Sequence, residues 1–221
     1  MALALFDLDN TLLSGDSDHL WGEFLVEQGV VDGDHYKREN DRFYQEYQEG
    51  RLDIHEFLAF SLRPLHENEL EQLQVWRKAF IYQMIDPIIS QASRDLLQKH
   101  RQAGDLLAII TATNSFITGP IAKHLGVDHL LATEPEMING YYTGGVSGVP
   151  CYQDGKVTRL NSWMASNGQD LTGSWFYSDS HNDLPLLQLV DNPVAVDPDE
   201  VLQKEALLKG WPVISLSNIT K

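Results

Sequence analysis

Two carboxylates one residue apart, Asp7 and Asp9, are followed by a hydroxyl at Thr11. All three come straight after the apolar run Ala2-Leu3-Ala4-Leu5-Phe6. This set suits chemistry at phosphorus. One acid can attack the phosphorus atom, the other can carry a proton, and both can lie beside a magnesium ion. A short apolar run reads as a buried strand, so the acids fall at its C-terminal end. Open α/β sheets bind their ligands at that edge.

Two more strand ends carry related groups. Thr111 closes the run Leu106-Leu107-Ala108-Ile109-Ile110, and Ser178-Asp179 closes Trp175-Phe176-Tyr177. Lys156 follows Gly155 at the start of a helix-like stretch. Parallel strands place their C-terminal ends together, so Asp7, Thr111 and Asp179 are expected to converge. Each residue also has a plain structural use. Asp7 and Asp9 suit a solvated turn, Thr111 a strand-end cap and Lys156 a helix surface. Asp179 or Asp183 could cap the helix bearing Leu184, Leu186 and Leu187. The four groups occurring together, in order, favour chemistry over these uses.

The elements that must hold these groups alternate. Helical patterns cover Ile89–Gln102, Ser115–Leu125, Lys156–Ala165 and Leu184–Leu189. Strand patterns cover Leu106–Ile110, Leu130–Ala132, Trp175–Tyr177 and Val194–Val196. Asn139-Gly140 predicts a hairpin turn between Met137-Ile138 and Tyr141-Tyr142. Asp197-Pro198-Asp199-Glu200 predicts a helix start with Asp197 as its cap. The fold class is therefore α/β, a doubly wound parallel sheet with helices on both faces. Residues 17–84 hold no strand signal. Leu20, Trp21, Phe24 and Leu25 share one helical face, and Tyr36, Phe43, Tyr44 and Tyr47 another. The division expected is a core of residues 1–15 and 85–221 with a helical cap of residues 16–84 inserted after the first strand.

With 221 residues and a formal charge of -16, the chain suits a core with a smaller insert and argues against nucleic acid or an anionic membrane as partner. A cation and one lysine can still reverse the local field for an anionic substrate. One cysteine, Cys151, allows no internal disulfide and fits a reducing, cytoplasmic setting. No stretch is apolar enough for a membrane span, and the start lacks a basic leader. The histidines form no zinc-like cluster. A monomer or homodimer is expected.

Asp7-Leu8-Asp9-Asn10-Thr11, Thr111-Ala112-Thr113-Asn114, Lys156 after Gly155, and Asp179-Ser180-His181-Asn182-Asp183 together resemble the four motifs of the haloacid dehalogenase-like phosphatases. The helical insert is similar to that of their phosphoserine-phosphatase-like branch. The resemblance implies Asp7 as nucleophile, forming an aspartyl-phosphate, and Asp9 as the acid and base. It implies Thr111 and the Ala112 N–H on phosphate oxygens, with Thr11 and Asn182 nearby, and Lys156 neutralising charge. It implies Mg2+ held by Asp7, the Asp9 carbonyl and Asp179, with Asp183 holding the metal's waters or Lys156. Dehalogenases of this fold lack an acid at the place of Asp9, so Asp9 favours phosphate esters.

Within that branch an acid after the first motif reads the substrate amine, and an insert arginine reads its carboxylate. Asp16 stands at the acid's place and is equally suited to cap a helix. Matching Glu49-Gly50-Arg51-Leu52 to the insert puts Ser61 at the arginine's position, with Arg63 two residues beyond. The expected substrate is a small phosphorylated metabolite with an amine, histidinol phosphate or phosphoserine, and Trp21 is a candidate to pack on an imidazole. The alternatives are a phosphotransferase or mutase of the same fold and a non-enzymatic phospho-acceptor receiver domain. The receiver reading is weakened by the long helical insert.

Overall fold

The computed structural model describes residues 2–217. Its centre is β1 (Leu3–Phe6), buried on both faces. An unbroken apolar run belongs in such a central parallel strand, because helices cover both sides. Alternate residues point to opposite faces. Ala4 and Phe6 therefore join one core with Leu107, Ile109 and Tyr177, and Leu3 and Leu5 join another with Ala108, Ile110 and Phe176.

After β1 the insert holds five helices: α1 (Ser17–Glu27), α2 (Gly33–Gln48), α3 (Ile54–Ser61), α4 (Arg63–Glu67) and α5 (Leu70–Phe80). A π turn (Ile81–Ile85) and a short 3-10 turn (Asp86–Ile88) lead back to the sheet. Then follow α6 (Gln91–Ala103), β2 (Leu106–Asn114), α7 (Ser115–Leu125), β3 (His129–Ile138), β4 (Tyr141–Ser147) and α8 (Asp154–Asn167). The chain finishes with β5 (Trp175–Ser178), a 3-10 turn (His181–Asp183), α9 (Leu184–Leu187), β6 (Asn192–Val196), α10 (Glu200–Lys209) and β7 (Val213–Ile214).

The sheet order is β4-β3-β2-β1-β5-β6-β7. All pairings are parallel except β3 with β4, the hairpin turned at Asn139-Gly140. The chain winds outward from β1 through β2 and β3, then crosses back to β5 on the other side. Strand order thus reverses at β1, and the crevice of a doubly wound sheet opens at that point. Among the described residues no helix is long and apolar enough to cross a membrane.

The inserted helices are anchored by aromatic packing. Trp21 is 1% exposed and packs on Phe24, Phe80 and, from α7, Phe116. Burying each such ring contributes roughly 1.5–3 kcal/mol. Trp21 is therefore part of the core and is not free to pack on a substrate ring. Asp53 caps α3, accepting from the N–H groups of His55 and Glu56. The cap of α10 differs from expectation. Asp199 caps it, while Asp197 sits at φ 42° and accepts the N–H groups of Leu216 and Ser217. The Asp197 carboxylate had a longer-range use available, tying the C-terminal segment beside β7. That two-residue strand carries too little pattern to be read from sequence.

Candidate active site

The loop after β1 is set by its own backbone. The Leu8 carbonyl accepts the N–H groups of Thr11, Leu12 and Leu13, and Asn10 takes a left-handed φ of 57°. This tight wrap presents Asp7 and Asp9 at the strand end. Asp7 is 2% exposed. Its Oδ1 accepts from Lys156 Nζ at 2.7 Å, while its Oδ2 is buried with no hydrogen-bond partner among the described residues.

Lys156 reaches Asp7 because α8 begins abruptly. The strand–helix connection brings the Pro150 carbonyl against Gly155, where any Cβ would overlap it. Only glycine permits that approach, and it fixes the first turn of α8 with Lys156 pointing inward. Lys156 is 2% exposed and clamped from the other side by both oxygens of Asp183, at 2.8 Å. Asp183 Oδ2 also accepts Ser178 Oγ at 2.7 Å. Burial works against the Lys156 ammonium, but Asp183 and Asp7 outweigh it, so the group is held charged.

Asp9 is held by the two flanking elements. Its Oδ1 accepts the Ser17 N–H at 2.7 Å, and its Oδ2 accepts Thr113 Oγ1 at 2.8 Å and Thr111 Oγ1 at 3.4 Å. Burial, then the Asp16 charge, pushes its pKa up to about 6 against these hydrogen bonds. Burial is also the main cause for Asp7. With Asp183 and Asp9 adding and Lys156 opposing, its pKa reaches about 7. Asp179 is pushed well above the carboxylate range by burial and then by Asp7 and Asp183. Crowded acids of this kind need a cation to ionise together.

The convergence expected at the sheet edge is therefore present for Asp7, Asp9, Thr111, Lys156 and Asp179. Other residues fall elsewhere. Thr11 donates to Asp179 Oδ1 at 3.0 Å and accepts the Asp179 N–H at 3.0 Å, so it positions an acid and is not turned to a substrate. Asp183 takes the Lys156 alternative expected of it, meeting that ammonium with both oxygens while Oδ2 also accepts from Ser178 Oγ. Asn182 gives its amide to the Tyr47 carbonyl at 3.0 Å and accepts Gln153 and Tyr152, so it ties the sheet edge to α2. Arg63 is exposed and faces Glu67, outside the pocket, because its place on α4 turns it to solvent. Asp16 does cap α1, accepting the N–H groups of Asp18 and His19, and it lines the pocket as well.

Sequence reasoning missed several lining residues. Asp18, His19, Asn40, Tyr44, Tyr47 and Phe57 share the pocket with Asp7, Asp9, Asp16, Thr111 and Ala112. Thr113 could have been found, since it stands two residues past Thr111 on the same side of β2. The approach of α2 to the edge could not, because Asn182 and Tyr47 are 135 positions apart. Gly50, just past α2, adds to it. Its φ of 69° and the His181 ring against it leave no room for a Cβ. His181 is held there by Asp199, whose Oδ2 lies 2.7 Å from His181 Nδ1.

Among the described residues no three His, Cys, Asp or Glu side chains stand ready around one point as metal ligands. Magnesium usually needs only one or two carboxylates, with other oxygens completing its shell. The bare, buried Asp7 Oδ2, and an Asp179 raised by burial and then by the Asp7 charge, fit that requirement. These acids offer the oxygen donors that a hard cation takes.

The family model of the haloacid dehalogenase-like hydrolases matches residues 4–188. A histidinol-phosphatase of Neisseria meningitidis is 46% identical over 217 residues, covering 96% of this chain and 98% of the relative. A phosphoserine phosphatase of Mycobacterium tuberculosis is 30% identical over 221 residues, covering 96% of this chain and 70% of the relative. The solved structure of a protein with unknown function from Bordetella pertussis is 43% identical with a TM-score of 0.92, covering 97% of this chain and 98% of that one. A substrate-bound phosphoserine phosphatase shares the fold, with a TM-score of 0.72 at 17% identity over 98% of this chain and 93% of that one. With motifs, strand order and relatives in agreement, the chain belongs to the haloacid dehalogenase-like hydrolases, among their phosphatases of the phosphoserine-phosphatase-like branch.

Proposed function

We propose that the chain hydrolyses a small amine-bearing phosphate monoester, histidinol phosphate or phosphoserine, through an aspartyl-phosphate on Asp7, with magnesium. The observation that carries this reading is the division of labour on Asp7. One oxygen is gripped by Lys156 at 2.7 Å and the other is buried and bare. A carboxylate so oriented has one oxygen fixed and one available to attack.

Asp7 Oδ2 attacks phosphorus, a new P–O bond forms, and the bond to the ester oxygen breaks. Asp9 gives its proton to the leaving alkoxide. A carboxyl whose pKa is raised to about 6 lies near enough to neutrality to give a proton and take one back. In the second half Asp9 takes a proton from a water that attacks the same phosphorus, and the bond to Asp7 breaks, releasing inorganic phosphate. Thr111 and the Ala112 N–H hold phosphoryl oxygens, and Lys156 balances the charge between Asp7 and the transferring group. Asp7, the Asp9 carbonyl and Asp179 would hold magnesium, which supplies positive charge against the phosphoryl oxygens.

Residues 16–84 act as the cap of this site, with 1–15 and 85–221 as the core. The α2 face carrying Phe43, Tyr44 and Tyr47 closes over the sheet edge and excludes water. Asp16 reads the substrate amine while capping α1. The lone thiol, Cys151, is buried and unpaired, which suits a reducing cytoplasm. The experiment is a hydrolysis screen over amino-acid, amino-alcohol, sugar and nucleotide monophosphates, with magnesium and with chelator. Magnesium-dependent turnover of amine-bearing esters is expected. Preference for sugar or nucleotide esters would overturn the substrate reading, and full activity in chelator would overturn the metal.

A further inference from the structure

The pocket holds a carboxylate that this reaction leaves unused. Asp18 lies in the first turn of α1, two residues after Asp16, and lines the pocket with Asp7, Asp9 and Asp16. It is 8% exposed. Its backbone N–H goes to Asp16, yet among the described residues no donor and no cation meets either of its side-chain oxygens. Burial with Asp16 and Asp9 nearby pushes its carboxyl well up. An acid buried this way is costly unless a partner arrives to satisfy it.

Nothing in the wall supplies that partner. Among the described residues lining the pocket there is no lysine and no arginine. His19 lies beside it, but its Nδ1 is met by Asn40 Nδ2 at 3.1 Å and its Nε2 is turned toward Glu23 and Asp41. Apart from Thr111, Ala112 and Thr113 on β2, the remaining wall is aromatic and aliphatic: Phe43, Tyr44, Tyr47, Phe57, Leu52 and Ile54. Such a wall suits a flat ring and favours a cation over its π-faces. It has no lysine or arginine to receive a carboxylate, and four acids repel one.

A substrate with a single amine satisfies Asp16 and leaves Asp18 bare. We propose that Asp18 reads a second basic nitrogen on the substrate. The site then selects phosphomonoesters of amino alcohols that carry a protonatable azole ring and no carboxylate. This rests on the phosphatase reading above and narrows it: of the two esters named there, the azole-bearing one fits and the carboxylate-bearing one does not. An imidazolium has two N–H donors in the ring plane, so one can meet Asp18 while the ring lies against the aromatic wall.

The test compares histidinol phosphate with phenylalaninol phosphate, which has the same amino-alcohol backbone and a phenyl ring in place of the azole. Both are assayed with the wild type and with Asp18→Asn, with p-nitrophenyl phosphate as a general phosphatase control. The readout is the ratio of kcat/KM for the two esters within each preparation, which cancels differences in the amount of folded enzyme. The wild type is expected to favour the azole by at least about tenfold, and Asp18→Asn to reduce that preference to within about threefold. Phosphoserine is expected to fall below both esters.

A wild type that does not distinguish the two rings overturns the proposal, and this arm needs no variant to fold. An unchanged preference in Asp18→Asn overturns it as well, because a merely structural Asp18 would alter both esters alike. Turnover of p-nitrophenyl phosphate with equal use of both rings removes the Asp18 assignment alone. No turnover of any ester removes the phosphatase reading beneath it.

Discussion

Replacing Lys156 with methionine keeps most of the side chain's volume and removes its charge. In the native structure the ammonium sits 2.7 Å from Asp7 and 2.8 Å from Asp183, at 2% exposure. Without it two buried carboxylates face each other uncompensated. Removing one partner of a buried ion pair costs about 3–5 kcal/mol, a large part of a typical stability of roughly 5–15 kcal/mol. The loss must depend on pH. Asp7 is already raised to about 7 by burial with Lys156 present, and it rises further without it. A carboxyl whose folded pKa is raised stabilises the fold while protonated and loses that contribution as pH rises through the folded value. The penalty in Lys156→Met is therefore expected to be small near pH ~5 and larger near pH ~8. Urea unfolding of both proteins at the two pH values, without added metal, measures it. Equal midpoints at the higher pH, or a larger penalty at the lower one, would show that Lys156 is not the counter-charge of this site.

Other outcomes follow from neighbouring geometry. Asp9→Asn should lower kcat/KM, which reports the transfer to Asp7, by about 10²–10⁴ for alkyl phosphate esters and much less for p-nitrophenyl phosphate, since a good leaving group needs no proton. An equal fall of kcat/KM for both would remove Asp9 as the acid. Gly155→Ala drives a Cβ into the Pro150 carbonyl and should cost about 1–3 kcal/mol in thermal unfolding while lowering kcat by shifting Lys156. Unchanged stability would mean the turn has room. Asp105 accepts the Ala2 N–H at 3.1 Å and lies 2.9 Å from His100 Nδ1, whose Nε2 meets Tyr177 Oη. Burial opposes the Asp105 charge, but these bonds outweigh it and hold its pKa below the usual carboxylate value. Its contribution is present above about pH 3.9 and fades as pH falls through the lower folded value. Asp105→Asn should accordingly destabilise near neutrality and converge with the wild type in acid, and a constant gap in denaturation midpoints would contradict this.

The groups legible in the sequence are those fixed by short-range pattern. Apolar runs mark β1, β2 and β5, so the pattern alone puts the residues ending them, Asp7, Thr111 and Asp179, on one edge. Gly155 before Lys156 signals a tight turn, and the clash of a Cβ with Pro150 gives its physical reason. The groups that are not legible depend on how distant segments meet. Asn182 has the composition of a phosphate-site residue, yet it spends its amide on Tyr47 of α2. Thr11 stands in the right motif but acts on Asp179 instead of on a ligand, whereas Asp183 holds Lys156, one of the two uses its motif implies. Arg63 shows the limit of counting along a helix. A displacement of two residues turns it to solvent beside Glu67. Asp18 escapes notice although Asp16-Ser17-Asp18 repeats the spacing of Asp7-Leu8-Asp9, because a first-turn acid is ordinarily explained by the helix dipole.

Chemical capture of the intermediate bears on the nucleophile itself. The protein is mixed with substrate and magnesium, quenched in acid during turnover, reduced with borohydride and digested. An acyl phosphate on an aspartate is reduced to homoserine, which peptide mass spectrometry locates by position. Homoserine at residue 7, formed only when substrate is present, is the expected result. Undiminished phosphate release with an unmodified Asp7, or with the label at Asp9 or Asp179, would contradict it.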